Sequence, residues 1–325
     1  MMARPTAQHV GKKQRHKLGN ENAEHPDHYL RGRRTEPLLS PGGLASDRHS
    51  LERVAGHHAH ISGAGTTARS SYIEISRLSK TFGEATRGGV VALRDIDCCI
   101  DKGSFVSVVG PSGCGKSTLL RIVAGLLPAT AGTVVMDGQR ITGTRRDVGV
   151  VFQSSILLPW RTILDNVMLP AEVLGLDMAT ARMRAHELLH LVGLNGFEDK
   201  LPRQLSGGMQ QRASIARALL HDPKVLLMDE PFGALDAMTR EQMNLELQRI
   251  WAQSGKTVIL ITHSIPEAIF LSDVILVMTP RPGVLKQVIP VDLPRPRDMD
   301  VMSSPRFAQL AHDIRALFNQ TGSFD

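Results

Sequence analysis

A glycine-rich loop between an apolar strand and a helix constrains the fold of this 325-residue chain more than any other feature. The strand is predicted at Phe105–Val109, and residues 110–117 match the pattern G-x4-G-K-[ST] that binds phosphate groups. Glycines let consecutive backbone N–H groups curl around an anion, and the following helix points its positive end at the same place. The sequence therefore predicts a phosphate site. The predicted binding residues are Gly110, Pro111, Ser112, Gly113, Cys114, Gly115, Lys116, Ser117 and Thr118.

Two of these side chains and a second strand predict the chemistry of the site. Lys116 is expected to reach the β- and γ-oxygens of a bound nucleotide, and the Ser117 hydroxyl is placed to ligate Mg²⁺. The apolar residues 225–228 are followed by two carboxylates, Asp229 and Glu230. Asp229, at the end of the strand, can hold the Mg²⁺ shell, and Glu230 then faces the γ-phosphate as a general base for water.

A second segment, residues 205–212, also offers an anion site. It places Ser206, Gly207 and Gly208 at the start of a helix and Gln210 in its first turn, where backbone N–H groups and the helix dipole favour negative charge. A chain that already has a phosphate loop does not need a second one. We therefore expect this segment to serve the nucleotide of another copy, and the alternative is a simple N-cap.

Short apolar strands alternate with helices along most of the remaining chain. Residues 154–205 are an exception, because a helical period dominates there, most clearly across residues 179–192. Continuous apolar strands between helices indicate a buried, mostly parallel sheet, so we predict an α/β fold divided by a helical insert. The predicted strands are residues 72–75, 90–93, 105–109, 133–136, 148–152, 225–228, 258–261 and 274–277. Further helices are predicted at residues 237–253 and, after an irregular proline-rich stretch, at residues 307–318.

The distribution of charge argues against a nucleic-acid partner. The chain carries 38 Lys and Arg against 32 Asp and Glu, a formal net charge of +6. Residues 1–70 hold 11 of these basic and 6 of these acidic residues, with 8 of the 13 histidines, whereas residues 71–325 hold 27 and 26, a net charge of +1. The basic character therefore belongs to the N-terminal segment, which lacks an apolar period and is predicted to be a disordered, basic, His-rich tail.

The role of this tail stays open at this point. His57, His58 and His60 could hold a divalent metal, but three histidines without a fixed scaffold make a poor site. The other interpretations are a solvated tail without function, weak attraction to a membrane surface, and a start codon assigned too far upstream.

The cysteines and the hydropathy pattern bear on the cellular setting. Cys98, Cys99 and Cys114 are too few for a disulfide framework and lack metal-ligand spacing, which favours a reducing, cytosolic environment. No apolar run approaches the roughly 18–20 residues of a spanning helix, and the N-terminus has no secretory signal. We therefore expect any function at a membrane to be performed from outside the bilayer.

These motifs, in this order, resemble the nucleotide-binding subunit of ATP-binding cassette (ABC) transporters over residues 71–325. The phosphate loop resembles the Walker A motif, residues 205–210 the family signature, and residues 226–230 the Walker B motif. The resemblance implies a P-loop NTPase core of the RecA-like type with an antiparallel β subdomain and an inserted α-helical subdomain at about residues 154–205. The ATPase domain would span residues 71–279, followed by a short extension, residues 280–325, with one amphipathic helix.

The resemblance also implies roles for residues that are weak signals alone. Phe82 matches the aromatic residue that stacks on adenine, and Gln153 the Q-loop glutamine, which also ligates the metal. His263 matches the switch histidine that contacts the γ-phosphate, and Asp236 lies in a segment similar to the D-loop that couples two sites. Glu230 would polarise the attacking water.

The partners and cofactors follow from the same resemblance. Two copies would close head to tail on two molecules of ATP with Mg²⁺, and a transmembrane permease would dock near Gln153 to Arg161, on the cytoplasmic face of the bacterial inner membrane. A periplasmic solute-binding protein would act indirectly, and no nucleic acid is expected. The strings at residues 158–161, 279–283 and 292–297 resemble the nitrate/sulfonate/taurine importer branch. The alternative is that Leu157, Leu158 and Trp160 belong to the core of the helical insert.

Three other functions fit the sequence less well than import. A soluble ABC ATPase of DNA repair needs a long coiled coil between Walker A and the signature, but only 89 positions separate Lys116 from Leu205 and they hold no heptad run. Translation-associated relatives carry two cassettes in one chain. A regulatory nucleotide-binding module should have lost Glu230 or His263, and both are present.

Overall fold

The computed structural model describes residues 71–83, 88–233 and 235–319. The predicted tail, residues 1–70, lies outside the described residues, as does Ala234. In chain order, the strands and α-helices are β1 (Ser71–Phe82), β2 (Val90–Asp101), β3 (Phe105–Val109), α1 (Lys116–Val123), β4 (Ala131–Met136), β5 (Gln139–Arg140), β6 (Val148–Val151), α2 (Ile163–Leu174), α3 (Met178–Leu191), α4 (Gly207–Leu219), β7 (Val225–Asp229), α5 (Ala237–Ser254), β8 (Thr257–Ile261), α6 (Ile265–Leu271), β9 (Val274–Met278), β10 (Leu285–Pro290) and α7 (Pro305–Asn319).

A six-stranded sheet with the order β10-β9-β3-β8-β7-β6 forms the centre of the fold. All neighbouring strands from β9 to β6 run parallel, and only β10 is antiparallel. Every residue of β3, β7, β8 and β9 is buried, as expected for strands covered by helices on both faces. The predicted α/β class with a mostly parallel sheet is confirmed.

A second sheet is antiparallel, with the order β2-β1-β4-β5. Its inner face packs on α1, where Ile75 and Ile100 belong to the same hydrophobic cluster as Leu119 and Val123. This sheet confirms the expected antiparallel β subdomain. It also brings the end of β1, with Phe82, to the helix that follows the phosphate loop.

The segment between β6 and β7 contains α2, α3 and α4, and a polar side chain caps the N-terminus of each helix. The N-caps are Thr162, Asp177 and Ser206, each of which accepts a hydrogen bond from a backbone N–H in the first turn. Helices α2 and α3 have 12 and 14 residues, too short for the coiled coil that a DNA-repair ATPase would need.

Leu157, Leu158 and Trp160, for which a position in the core of the helical insert was the alternative, have different environments in the structure. Leu157 is half-buried and packs against the main hydrophobic cluster, whereas Trp160 is 74% exposed. Leu158 is half-buried, and its backbone N–H and carbonyl are both hydrogen-bonded to the side chain of buried Asn166. A core position is therefore wrong for Trp160 and right in part for Leu157.

The C-terminal extension contains more regular structure than the sequence predicted. The proline-rich stretch was expected to be irregular, but it includes β10, which pairs with β9 at the edge of the main sheet. Pro290 is the last residue of this edge strand, a position where a missing N–H is tolerated. Helix α7 is amphipathic as predicted, with Phe307, Leu310 and Ile314 buried at helical spacing. No helix in the described ranges combines the length and apolar character needed to cross a bilayer.

Buried Arg297 joins this extension to the core. It is 3% exposed, and its Nη1 donates to the carbonyl oxygens of Ile269, Phe270 and Ser272, at 2.8, 2.9 and 2.8 Å. These carbonyls lie at the C-terminal end of α6, which therefore receives its missing hydrogen bonds from one guanidinium. Burial lowers the pKa of Arg297 to about 10.

Replacing Arg297 by Met should destabilise the fold by about 3 kcal/mol, because the buried carbonyls at the end of α6 would lose their donor. Urea denaturation of the full chain measures this change. The matched control is Arg306→Met, which removes an exposed pair with Asp292 and should leave the free energy of unfolding nearly unchanged. An equal loss of unfolding free energy in the two variants would show that Arg297 does not stabilise the end of α6.

Candidate nucleotide-binding and hydrolysis site

The phosphate loop lies between β3 and α1, and its geometry depends on Gly115. This residue precedes α1 with a φ of 103°, in the left-handed region. A Cβ atom there would lie 2.7 Å from Leu93 Cδ2 and 2.8 Å from the Ala92 carbonyl oxygen, so strand β2 leaves room only for glycine. No side chain of the described residues caps this helix. Its first N–H groups therefore remain available to an anion.

Lys116 and Cys114 occupy different environments within the loop. Lys116 is 7% exposed, and its Nζ donates to the carbonyl oxygens of Gly110 and Pro111, at 2.8 and 3.1 Å. The ammonium group is therefore held across the loop. Cys114 is buried, and burial raises the pKa of its thiol above the ordinary value, so the group is a protonated packing residue and not a reactive thiolate.

A cleft of about 420 Å³ brings together side chains from distant parts of the chain. The antiparallel sheet contributes its apolar wall, and the loop and α1 contribute the polar floor. Residues after β6, β7 and β9 complete the lining. The lining residues are Phe82, Val90, Ala92, Ser112, Gly113, Gly115, Lys116, Ser117, Thr118, Gln153, Glu230 and Arg281.

Phe82 presents an aromatic surface at one end of this cleft. The side chain is 44% exposed, although it is large and apolar. Lys80 lies beside it, with Nζ 5.2 Å from the ring centroid and hydrogen-bonded to the Pro128 carbonyl oxygen at 2.8 Å. An exposed ring next to a phosphate-binding loop can stack on a planar base.

Asp229 pairs with Ser117, which lines the cleft. The Ser117 hydroxyl donates to Asp229 Oδ1 at 2.9 Å, and Asp229 is 5% exposed. Burial raises the pKa of Asp229, and the hydrogen bond from Ser117 acts in the opposite direction. A buried carboxylate beside a hydroxyl is a set of oxygen donors that suits a hard divalent cation.

Glu230 is held in an uncommon backbone conformation at the end of β7. Its φ is 47°, in the left-handed region, and its N–H donates to the Ile261 carbonyl oxygen at 2.9 Å. The neighbouring strand β8 therefore fixes this strained residue, as is often seen at functional sites.

Two side chains converge on the same oxygen of Glu230. Gln153 Nε2 donates to Glu230 Oε2 at 3.1 Å, and His263 Nδ1 lies 3.4 Å from it. The Gln153 amide thus contacts the proposed base and not the pair of Ser117 and Asp229, and its assignment as a metal ligand stays a prediction. The Glu230 side chain is 20% exposed and that of His263 is 61% exposed, so both can be reached from solvent.

The predicted signature residues do not line the cleft of their own chain. Ser206 and Gly207 are exposed, and Ser206 is the N-cap of α4, whereas the expected contact with the nucleotide of another copy stays a prediction. A Cβ atom on Gly208 would lie 2.6 Å from Leu235 Cδ2, so a larger residue would require that side chain to shift. Gln210 Nε2 donates to the carbonyl oxygens of Pro202 and Leu205 and thus holds the segment in shape.

Asp236 also lies away from the cleft. It is exposed and caps α5, with Oδ1 accepting from Thr239 N–H at 2.9 Å and Oδ2 from the Thr239 hydroxyl at 2.6 Å. These hydrogen bonds lower the pKa of Asp236. Its predicted role in coupling two sites is a property of a pair of chains, and one chain does not test it.

The sequence analysis missed three residues of the cleft lining, Val90, Ala92 and Arg281, and of these Arg281 carries a charge. Its string, residues 279–283, was interpreted only as a mark of the importer branch, because nothing in a strand–helix pattern places a loop after β9 beside the phosphate loop. The signal that could have found it is the sheet order, since β9 and β3 are parallel neighbours whose following loops must meet.

Comparisons with known proteins agree with this geometry. The family model described as ABC transporter matches residues 93–233. An uncharacterized ABC transporter ATP-binding protein of Methanocaldococcus jannaschii is 49% identical, covering 70% of this chain and 84% of the relative. The taurine import ATP-binding protein TauB of Rhizobium johnstonii and the aliphatic sulfonates import ATP-binding protein SsuB of Bacillus thuringiensis are each 44% identical, covering 77% of this chain and 97% of theirs.

Solved structures give the same result. The dimeric structure of a bacterial ABC transporter cassette is 35% identical, with a TM-score of 0.63, and the alignment covers 68% of this chain and 99% of that one. A dimeric post-hydrolysis state of an ATP-binding cassette, bound to ADP and Pi, is 34% identical with a TM-score of 0.62 over the same shares. The chain therefore belongs to the ABC transporter family, as one of its ATP-binding cassettes.

Proposed function

We propose that this chain is the ATP-hydrolysing subunit of a bacterial ABC importer that takes up a small anion or organosulfur solute, of the nitrate, sulfonate or taurine kind, through a separate permease. The observation that carries the catalytic part is the position of the Glu230 carboxylate, which contacts Gln153 and His263 at the cleft of the phosphate loop. The import branch rests on relatives named for taurine and aliphatic sulfonate import that align over 97% of their length.

ATP and Mg²⁺ are assigned to the cleft by its lining. Phe82 is proposed to stack on the adenine, and the loop and the start of α1 to bind the phosphates. The buried Asp229 carboxylate and the Ser117 hydroxyl fit Mg²⁺, and we propose these two as ligands together with Gln153. A metal ion bound there would neutralise charge on the phosphate oxygens during hydrolysis.

Glu230 is the proposed general base. Its carboxylate takes a proton from the attacking water, and the hydrogen bond from Gln153 orients the group toward the cleft. His263 is proposed to contact the γ-phosphate, which its exposed side chain can approach.

A second copy of the chain is the proposed partner at the nucleotide. Ser206 and Gly207 are exposed at the start of α4 and Asp236 is exposed at the start of α5, although one chain brings none of them to its own cleft. The related structures are dimeric. A head-to-tail pair, in which each signature segment covers the ATP bound by the other chain, would give these residues a ligand.

The permease is proposed to dock beside the Q-loop, from Gln153 to Arg161. Ile156 and Trp160 are 56% and 74% exposed there, an unusual position for large apolar side chains unless a partner covers them. The chain would then work at the cytoplasmic face of the inner membrane, with a periplasmic solute-binding protein acting through the permease.

Replacing Glu230 by Gln should lower ATP hydrolysis by about 10²-fold or more, because the amide cannot accept the proton of the water. ATP binding should persist, and an ATP-bound dimer should accumulate. Phosphate release and size-exclusion chromatography with ATP measure the two effects. The control Glu241→Gln, on the exposed face of α5, should behave as the wild type. Normal hydrolysis by E230Q would refute the assignment of the base.

The transport function predicts a growth phenotype. Cells that lack this chain should fail to use its solute, and uptake should be restored by the wild type and not by E230Q, since transport requires hydrolysis. Growth on taurine or an alkanesulfonate as sole sulfur source, and on nitrate as sole nitrogen source, identifies the class. Wild-type growth of the deletion strain on all of them would contradict the proposed solute.

Glu267 supports the loop that carries His263. It is 5% exposed, and its Oε2 accepts a short hydrogen bond from the Thr262 hydroxyl, which in turn accepts from Ser264 N–H at 2.9 Å. The Ser264 hydroxyl accepts from Glu267 N–H at 3.4 Å, so these hydrogen bonds fix the residues on both sides of His263. Burial raises the pKa of Glu267, with the hydrogen bond from Thr262 opposing the shift.

This shift predicts how stability depends on pH. Because the carboxyl binds its proton more tightly in the folded chain than in the unfolded chain, the stabilisation is complete below the ordinary pKa of 4.5 and is lost as the pH rises through the folded value. Glu267→Gln cannot titrate, so its free energy of unfolding should gain on that of the wild type as the pH rises above 4.5. Urea denaturation over a pH series measures the difference, and parallel curves would contradict the prediction.

A further inference from the structure

The turn between β9 and β10, residues 279–283, has a fixed position next to the cleft. Within the turn, the Thr279 hydroxyl accepts from Val284 N–H at 3.0 Å, and Thr279 N–H donates to the Val284 carbonyl oxygen at the same distance. Gly283 N–H donates to the Ala92 carbonyl oxygen of β2 at 2.9 Å. Hydrogen bonds within the turn and between the turn and β2 therefore fix the residue at its tip next to the cleft.

This turn touches the phosphate loop directly. A Cβ atom on Gly283 would lie 2.0 Å from the Cys114 carbonyl oxygen, so only glycine permits the approach. From the tip of the turn, Arg281 Nε and Nη2 donate to the Gly113 carbonyl oxygen at 3.2 and 3.1 Å. The guanidinium is therefore anchored on the middle of the loop that binds phosphate.

The anchored guanidinium has donors to spare. Arginine carries five N–H groups, and the Gly113 carbonyl oxygen engages only Nε and Nη2. Within the described residues, no carboxylate forms an ion pair with Arg281, and its side chain is exposed. Among the residues that the structure describes, Arg281 and Lys116 are the two basic side chains that line the cleft.

We propose that Arg281 is a nucleotide-binding residue, whose guanidinium binds the phosphate oxygens of the nucleotide together with Lys116. Guanidinium groups match the geometry of phosphate and form strong charge-assisted hydrogen bonds with it. The contact would also link the nucleotide to the C-terminal extension, because the turn of Arg281 leads into β10. This inference rests on the proposed binding of ATP in the cleft.

Equilibrium binding of MgATP and MgADP to the full chain tests the proposal. Arg281→Gln should raise the Kd of both nucleotides by about tenfold, since it removes one charged donor. It should also weaken the dependence of Kd on salt concentration, because salt screens the contact between charges. Arg281→Lys keeps the charge and loses the planar guanidinium, so its Kd values should lie between those of the wild type and those of Arg281→Gln. Arg140→Gln removes an exposed arginine of β5 that lines a different cleft, and its Kd values should equal those of the wild type.

The following results would overturn either this proposal or the proposed function on which it rests. A wild-type Kd in R281Q would overturn the proposal. If R281K binds as weakly as R281Q and both lower the melting temperature of the nucleotide-free chain, Arg281 only stabilises the loop, and the proposal is again wrong. Failure of the wild-type chain to bind ATP at all would instead overturn the proposed function on which this inference rests.

Discussion

Close backbone packing around the phosphate loop is the constraint on which the rest of the structure depends. The loop lies in a space bounded by strand β2 on one side and the turn after β9 on the other, and two glycines make the fit possible. A Cβ atom at Gly115 would collide with Leu93, and a Cβ atom at Gly283 would collide with the Cys114 carbonyl oxygen. The phosphate loop is therefore packed between β2 of one sheet and the turn after β9 of the other, and the same loop offers its N–H groups to phosphate. Folding and ligand binding depend on one set of contacts.

The strand order explains how the other site residues reach this loop. The parallel strands follow one another as β9, β3, β8, β7 and β6, so their carboxyl ends form one edge. Along that edge, each strand is followed by a site residue or the loop. In spatial order these are Arg281, the phosphate loop, His263, the pair Asp229 and Glu230, and Gln153. Gly110 and Arg281, which are 171 positions apart in the sequence, thus belong to a single row, and the left-handed conformation of Glu230 turns its carboxylate toward its neighbours in that row.

Much of this arrangement could be predicted from local pattern, and the exceptions have physical reasons. The phosphate loop, the buried strands and the carboxylates after β7 are each encoded by contiguous residues, so the sequence alone was enough. Strand β10 was missed because prolines on both sides disguise an edge strand, whose position depends on pairing with β9 and not on its own propensity. Arg281 was missed for a related reason, because its role depends on which strands are neighbours. Trp160 could not be placed either, because an apolar side chain has the same signature in a core as on a surface that a partner covers.

The chemistry of a single cleft is incomplete in a way that bears on coupling. Glu230 and His263 remain accessible to water, whereas Ser206 and Asp236 are exposed elsewhere on the surface without a ligand in their own chain. A general base and a polyphosphate react selectively only when bulk water is excluded, so something must cover the cleft before hydrolysis. In the proposed pair, the signature segment of the second chain performs this task, and it can do so only while the γ-phosphate supplies the anion for the start of α4. Hydrolysis then removes the ligand that holds the two chains together. Each cycle of binding and hydrolysis would therefore change the distance between the two sites beside Gln153 at which the permease is proposed to dock.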